Sequence, residues 1–198
     1  MLKFTSILLS ILLGTIGSGS AQDSDDTLSD INRDRLQMNR DGMKVLGGWA
    51  AGNIIVGGIG LTQTEGNTKY FHQMNLAWNS VNLAIAGLGY FGSKKSPSQY
   101  SLSDTIEEFH TFEKILLFNA GLDVGYMATG AYLWERGIRK ENSRLEGYGQ
   151  SLILQGAFLF TFDLILYLAS KNKSSKLLDS LDERVSLSPG GVNLRLTF

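Results

Sequence analysis

Hydrophobic and polar positions divide this chain into long apolar stretches separated by short polar connectors. Four stretches of about 19–24 residues are nearly free of charged side chains, and they cover 45–63, 71–93, 115–134 and 147–170. A helix that rises 1.5 Å per residue needs about 20 residues to cross a hydrocarbon core roughly 30 Å thick. Soluble helices of this length normally carry a charged stripe, which these stretches lack. Because the connectors are short, the pattern predicts an all-α fold, a four-helix transmembrane bundle with up-down topology.

The two ends of the chain differ from the apolar stretches. Residues 1–21 begin with a basic residue, continue with an apolar segment too short to span a membrane and end in small residues, which predicts a cleavable signal peptide; an uncleaved anchor is the alternative. Residues 22–42 form a polar lead-in, either a short amphipathic helix at the membrane surface or a solvated approach to the first span. We predict the four-helix membrane domain over 43–171 and a short irregular C-terminal tail over 172–198. The final VNLRLTF alternates like a strand but has no obvious partner.

Composition narrows the possible classes of function. The 198 residues carry a net charge of −1, no cysteine and two histidines. A nearly neutral chain offers no basic field for nucleic acid, and the lack of cysteine excludes disulfides and thiolate metal sites. No phosphate-binding loop, G-x-S-x-G or H-E-x-x-H motif is present. We therefore expect no enzyme, no cofactor and no metal. The apolar fraction of 43% is ordinary for a soluble protein, which leaves a secreted soluble bundle as a minor alternative.

Each apolar stretch contains an amide or a carboxylate, and antiparallel spans would bring these groups to one depth. Counted along the helices, that depth is roughly 10–15 Å inside the membrane. The predicted polar membrane layer comprises Asp123, Asp163, Asn53, Asn82 and Asn119. Ionisable groups in a span usually face the bundle interior or a water-filled cavity. Two carboxylates at one depth would repel each other, so one stays protonated or both share a proton. The layer predicts a proton or cation site, or else a satisfied polar layer that fixes helix register.

A second polar stripe follows one face of the second apolar stretch and reaches toward the fourth. It comprises His72, Asn75, Asn79 and Gln155. Such a stripe faces other helices rather than lipid. By depth, His72 lies near Glu135 and Arg136, which makes it a candidate pH-sensitive gate. The alternative is an interfacial side chain with one hydrogen bond.

Glycines four residues apart occur in two of the apolar stretches, at Gly48 and Gly52 and at Gly121 and Gly125. Small residues at this spacing allow helix backbones to approach closely in lipid. Besides contact with the lipid bilayer, they predict self-association or binding of other envelope proteins through glycine-rich helix faces.

Four runs of sequence support a resemblance to a known family. They are VLGGWAAGNIIVGGIG, TKYFHQMNLAWNSVNLAIAG, EKILLFNAGLDVGYMATGAYLWERG and GYGQSLILQGAFLFTFDLILYL. Over about residues 43–170 the chain resembles an uncharacterised bacterial family of small multi-span membrane proteins, a domain of unknown function. The resemblance implies a four-helix membrane domain after a signal peptide. It implies no activity and no site residue.

Together these features predict a multi-pass integral membrane protein of the bacterial cell envelope, in the inner rather than the outer membrane. Two functions remain open at this point. One is a structural or assembly role in the envelope. The other is proton- or cation-linked transport or sensing through the buried carboxylate and amide layer.

Overall fold

Four long helices make up most of the protein. The computed structural model describes residues 17–182, 185–188 and 191–194, with side chains over 27–179. The helices are α1 (Gly17–Gln63), α2 (Gly66–Gly92), α3 (Leu102–Arg139) and α4 (Ser143–Asp182), with a short 3-10 helix at Pro97–Gln99. The predicted helical class is confirmed for this part of the chain.

Helix α1 extends far beyond the first apolar stretch. It runs without a break through the predicted lead-in at 22–42, so that segment is not a separate element. Ion pairs of Asp30 with Arg33 and of Asp41 with Lys44, each three residues apart, suit a continuous helix. Residues 1–16 of the predicted signal peptide lie outside the described residues, and the remainder of that segment begins α1.

The C-terminal tail contains two short antiparallel strands, β1 (Val185–Ser188) and β2 (Gly191–Leu194). Val185 lies opposite Leu194, and Ser188 lies opposite Gly191. The strand-like end of the sequence therefore has a partner within the chain, where we had expected none, and the tail is not irregular throughout. The partner segment VSLS also alternates apolar and polar residues, and Pro-Gly between the two segments is a turn sequence.

Helix α4 occupies the middle of the bundle. It packs along α3 and α2, while α1 packs along α2. Helices α2 and α4 run parallel, as shown by hydrogen bonds from Asn67 to Glu146 and from Gln155 to Asn75. Helices α2 and α3 are not packed backbone to backbone and leave a gap between them.

Glycines allow the closest helix approaches near the α3–α4 connection. A Cβ atom on Gly130 would lie 2.8 Å from the carbonyl oxygen of Gly149, and one on Gly147 would collide with the backbone of α2. The glycine pairs predicted from spacing do not serve these contacts, because a Cβ atom added there would meet nothing within 4 Å. Those outward-facing glycines are Gly48, Gly52, Gly121 and Gly125.

In soluble proteins apolar side chains are mostly buried and polar ones mostly exposed. This protein departs from that pattern. Among the described residues, polar side chains outnumber apolar ones in the buried set, while large apolar side chains such as Leu88 (77% exposed) and Phe118 (68% exposed) lie on the surface. So many exposed apolar side chains are typical of proteins that contact a membrane or a partner.

Two segments are long and apolar enough to cross a membrane, Thr27–Gln63 in α1 and Ser143–Asp179 in α4. Only 22% and 33% of their most apolar windows are buried, whereas a core helix of a soluble protein would be mostly buried. The prediction of four spans is thus supported for two helices. Helix α2 falls short in mean hydropathy because of its amide stripe, and α3 because of Asn119 and Asp123.

Candidate functional site

A cavity of about 370 Å³ lies in the gap between α2 and α3, and all four helices contribute to its walls. Most of the lining is apolar, and it includes the rings of Trp78, Phe112, Tyr126 and Phe162. Trp78 of α2 and Tyr126 of α3 make an edge-to-face contact with their ring centroids 4.8 Å apart. This aromatic pair bridges two helices whose backbones stay apart.

One wall of the cavity carries a pair of carboxyl groups. Asp123 of α3 is 3% exposed and Asp163 of α4 is 6% exposed. Their side chains are within hydrogen-bonding reach of each other. Oδ2 of Asp123 has no hydrogen-bond partner among the described residues. Because two adjacent buried carboxylates repel each other strongly, this contact calls for a proton between them or a cation beside them.

Helix periodicity and close helix packing explain why the two carboxyl groups meet. Asp123 follows Leu116 and Ala120 on the buried face of α3, and this face packs on α4. Gly156 allows α4 to approach closely, since a Cβ atom there would lie 3.0 Å from the carbonyl oxygen of Asp123. Asp163 comes seven residues later in α4, two helical turns along the same side.

Two amides of the predicted layer also line the cavity. Asn82 is buried, and its Nδ2 atom has no hydrogen-bond partner among the described residues. Asn119 is half-buried at the same cavity. Asn79, one turn from Asn82, donates to the carbonyl oxygen of Asn75 at 2.8 Å, but its Oδ1 atom has no partner in the described part of the chain. The structure therefore places four of the five predicted layer residues at one cavity.

The fifth residue, Asn53, belongs to a separate ring of hydrogen bonds. Trp49 Nε1 donates to Gln155 Oε1 at 3.0 Å, and Gln155 Nε2 donates to Asn75 Oδ1. Asn75 Nδ2 donates to Asn53 Oδ1 at 2.7 Å, and Asn53 Nδ2 donates to the carbonyl oxygen of Trp49 at 2.9 Å. The ring closes on itself and ties α1, α2 and α4 together. The hydrogen bonds of Asn53 are those expected from the alternative in which a satisfied polar layer fixes helix register.

One known protein family matches the part of the chain that contains most of these residues. A model described as a family of unknown function, DUF6992, matches residues 45–164. The chain belongs to the DUF6992 family. The matched segment contains both aspartates of the cavity wall and the whole amide ring. No curated protein and no solved structure matches the chain.

His72, which also lies within the DUF6992 segment, has neighbours other than Glu135 and Arg136, the residues predicted from its depth. The His72 ring lies directly against Gly60 of α1. Glu135 instead pairs with Arg139 at 3.3 Å, and the Arg136 guanidinium lies over the ring of Tyr132. The expected His72 cluster is not formed, since the backbones of α2 and α3 stay apart.

The described residues contain a third buried carboxylate, Glu113, whose burial we did not predict from the sequence. Glu113 of α3 accepts hydrogen bonds from Ser174 at 2.7 Å and from Ser170 at 3.4 Å, and both serines lie beyond the DUF6992 match. Positions 113, 116, 120 and 123 lie on one helical face, so the spacing from Asp123 was an available signal.

A buried arginine holds the N-terminal half of α1 against α3. Arg35 donates to Glu108 at 3.0 Å and to Asn32, and its guanidinium lies 4.6 Å from the centroid of the Tyr100 ring. Asn32 in turn donates to Thr105 at 2.8 Å. No local pattern signals this contact, because it depends on α1 extending N-terminally beyond the first apolar stretch to reach α3.

No group of three or more histidine, cysteine or acidic side chains in the described part of the chain is arranged to hold a metal ion. The chemistry that the cavity offers is therefore that of two acids, two amides and aromatic walls.

Proposed function

We propose that this protein is a multi-pass membrane protein in which the Asp123–Asp163 pair exchanges a proton or a cation during transport or sensing. The observation that carries the proposal is the contact of two buried carboxyl groups at the wall of a cavity. An unpartnered carboxylate oxygen there has an acceptor site left over for a ligand. The two aspartates lie on different helices and are 40 residues apart in the sequence.

The surface of the bundle supports the membrane part of the proposal. Exposed apolar side chains follow the outer faces of all four helices, including Ile55 on α1, Leu88 on α2, Phe118 on α3 and Ile165 on α4. In water this surface would be unfavourable by about 25 cal/mol per Å² of apolar area, whereas lipid accommodates it. We place the protein in a bacterial cell envelope, in the inner membrane, with all four helices crossing the bilayer.

The electrostatics of the pair support the exchange part of the proposal. A single proton shared by Asp123 and Asp163 leaves one negative charge, and a bound monovalent cation can replace that proton without adding charge. Within the described residues no lysine or arginine lines the cavity to neutralise the pair permanently. The pair therefore remains available to a mobile cation, as expected of an ionisable group on an ion pathway.

Proton exchange can be measured in proteoliposomes that contain a pH-sensitive dye. After an external pH step, wild type should change the internal pH faster than empty vesicles, and Asp163→Asn should abolish that difference while inserting normally. Asp41→Asn is the matched control, because Asp41 is an exposed residue paired with Lys44, away from the cavity. A wild-type rate equal to that of empty vesicles would rule out the proposal, as would full activity of Asp163→Asn.

A second candidate function is a structural role through self-association with a second copy of this chain. The observation that favours it is that Gly121 and Gly125 face outward with open space around them, next to the exposed Phe118. Such a face permits close contact between helices in lipid. Cross-linking in membranes should trap dimers of wild type and of the control Leu117→Ile, but not of Gly121→Ile. Equal dimer yields from all three would count against this role.

A further inference from the structure

We infer that the cavity is a binding site for a lipophilic monocation, a protonated amine attached to an apolar body, whose charge faces Asp123 and Asp163. The inference rests on the proposed function and names the class of cation that the carboxyl pair takes up.

The sign of the charge at the cavity wall selects a cation. The cavity is lined by two acidic side chains and by no lysine, arginine or histidine of the described residues, and Asp123 Oδ2 lacks a hydrogen-bond donor among those residues. An ammonium group offers up to three N–H donors to such acceptors. An anion would meet two carboxyl groups without a compensating base, so anionic ligands are excluded.

The size and the ligand set argue against a bare metal ion. A volume of about 370 Å³ falls within the range of roughly 300–1,000 Å³ that is typical of small-molecule pockets. Hard cations such as Ca²⁺ need about six to eight oxygen ligands, or waters held in a polar shell. Among the described residues, no third acidic, histidine or cysteine side chain joins the carboxyl pair to complete such a shell. Apolar side chains such as Leu46, Ile85 and Leu159 make up most of the lining. An organic body fills this volume, whereas a metal ion does not.

The aromatic walls suit an organic cation in particular. Trp78 and Tyr126 meet edge to face beside the carboxyl pair, and Phe112 and Phe162 also line the cavity. A cation over an aromatic face gains about 0.5–2 kcal/mol in general, with the larger values where water is excluded. The buried Nδ2 of Asn82, which has no partner among the described residues, adds a donor for a polar group on the ligand body.

Access to the cavity is lateral. Val81, Ile85 and Ile115 line it and are each at least half exposed on the outer surface of the bundle. The opening lies between α2 and α3, the two neighbours whose backbones are not packed. In a membrane this opening faces lipid, so a ligand that partitions into the bilayer reaches the carboxyl pair without crossing water.

Three ligands that share one body provide the test: 4-phenylbutylamine, the neutral 4-phenylbutanol and the anionic 4-phenylbutyrate. Binding is measured by titration calorimetry on the full chain in phosphatidylcholine nanodiscs, with empty nanodiscs as the blank. We expect the amine to bind at least ten times more tightly than the alcohol, and the carboxylate not to bind. Equal affinity for the amine and the alcohol would overturn the inference.

Variants locate the site and control for folding. Asp123→Asn combined with Asp163→Asn should reduce amine affinity to that of the alcohol, while Asp41→Asn should leave it unchanged. Tyr126→Leu keeps both acids and should weaken amine binding about threefold to tenfold. Amine binding that survives in both cavity variants would place the ligand elsewhere and overturn the inference.

The source of the amine and the link to the proposed function are tested separately. Binding should persist when the nanodiscs contain phosphatidylethanolamine; its loss would assign the site to a lipid headgroup and overturn the assignment to a free amine. If wild type shows proton exchange in vesicles but no amine binding, the inference fails and the proposed function stands. If neither is observed, both fail.

Discussion

The end of the bundle near the α3–α4 connection and the region around Asp123 and Asp163 are built in opposite ways. At the connection, Gly130, Gly137 and Gly149 bring helix backbones into direct contact, with no room for a methyl group. Around the aspartates, α2 and α3 separate and leave a cavity of about 370 Å³. The tight region holds the helices in position, and the open region is where a ligand can be accommodated.

The amide ring and the cavity differ in how far their polar groups are paired. Every member of the amide ring formed by Trp49, Asn53, Asn75 and Gln155 has a partner in the ring. At the cavity, by contrast, Asp123 Oδ2 and Asn82 Nδ2 have none within the described structure. Satisfied buried polar groups stabilise a fold, whereas unsatisfied ones weaken it and call for a functional explanation.

The largest effect on stability is expected at the glycine contacts near the α3–α4 connection. In Gly149→Ala, the new methyl group would collide with the backbone of Trp134, which should lower the free energy of unfolding by about 3 kcal/mol or more. Gly125→Ala is the matched control, because its methyl group meets open space and alanine favours a helix by about 1 kcal/mol. Thermal unfolding in detergent compares the two. Equal melting temperatures would show that α3 and α4 are not in backbone contact.

The next effect tests the amide ring. Asn75→Leu removes the hydrogen bonds to the half-buried Asn53 and to the buried Gln155 and leaves both without these partners. The free energy of unfolding should fall by about 2 kcal/mol. Ser80→Ala is the control, because the Ser80 hydroxyl bonds only to the backbone of its own helix. Chemical unfolding measures both variants, and a stable Asn75→Leu protein would contradict the role assigned to the ring.

A smaller effect of opposite sign is expected at the cavity. Asp163→Leu replaces one of two adjacent acids by an apolar side chain of similar size, so the free energy of unfolding should rise by about 1 kcal/mol while proton exchange is lost. Asp41→Asn should change neither property. A marked loss of stability in Asp163→Leu would mean that the carboxyl pair holds the bundle together and that the contrast between the two regions is wrong.

The smallest effect on stability is expected at the N-terminal end of α3, which is the end far from the glycine contacts. Hydrogen bonds from the Ser101 hydroxyl and from the Ser101 backbone N–H keep the pKa of Asp104 below its ordinary value. A carboxyl group whose pKa is lower in the folded than in the unfolded state stabilises the fold above its ordinary pKa, and this contribution is lost as the pH falls through the folded value.

Asp104→Asn should therefore lower the melting temperature slightly at pH 7, and the difference from wild type should shrink below the ordinary pKa of 3.8. Glu107→Gln, an exposed change one turn further along α3, serves as the control. A difference between wild type and Asp104→Asn that does not change with pH would show that the capping interaction of Ser101 with Asp104 is not formed.

Parts of the candidate site could be predicted because depth along a helix is set by residue count. Counting from the ends of the apolar stretches placed Asp123, Asp163 and Asn82 at one level and Asn119 one turn away, and all four line one cavity. The same counting could not assign Asn53 to the amide ring, because its partners depend on how each helix is rotated about its axis. It also placed His72 beside residues of α3, a helix whose backbone stays apart from that of α2.

The glycines show a similar limit. Spacing identified Gly48, Gly52, Gly121 and Gly125, but these face outward, and the close contacts use glycines of the third and fourth helices that form no such pair. A spacing rule marks a face on which helices can approach closely. Which face meets a neighbour depends on the other helices of the bundle, so only the assembled structure reveals it.

The sequence by itself determined the helices, their apolar faces and the depth of their polar groups, because these follow from local periodicity and from the free energy of placing charge in an apolar medium. It also placed an acid in each of the third and fourth helices. Only the tertiary structure decided that Asp123 and Asp163 line one cavity, that α2 and α3 separate to form it, and that α1 continues to reach α3 through Arg35. These features depend on helix rotation and pairing, which arise from many weak contacts between residues far apart in sequence and leave no local pattern.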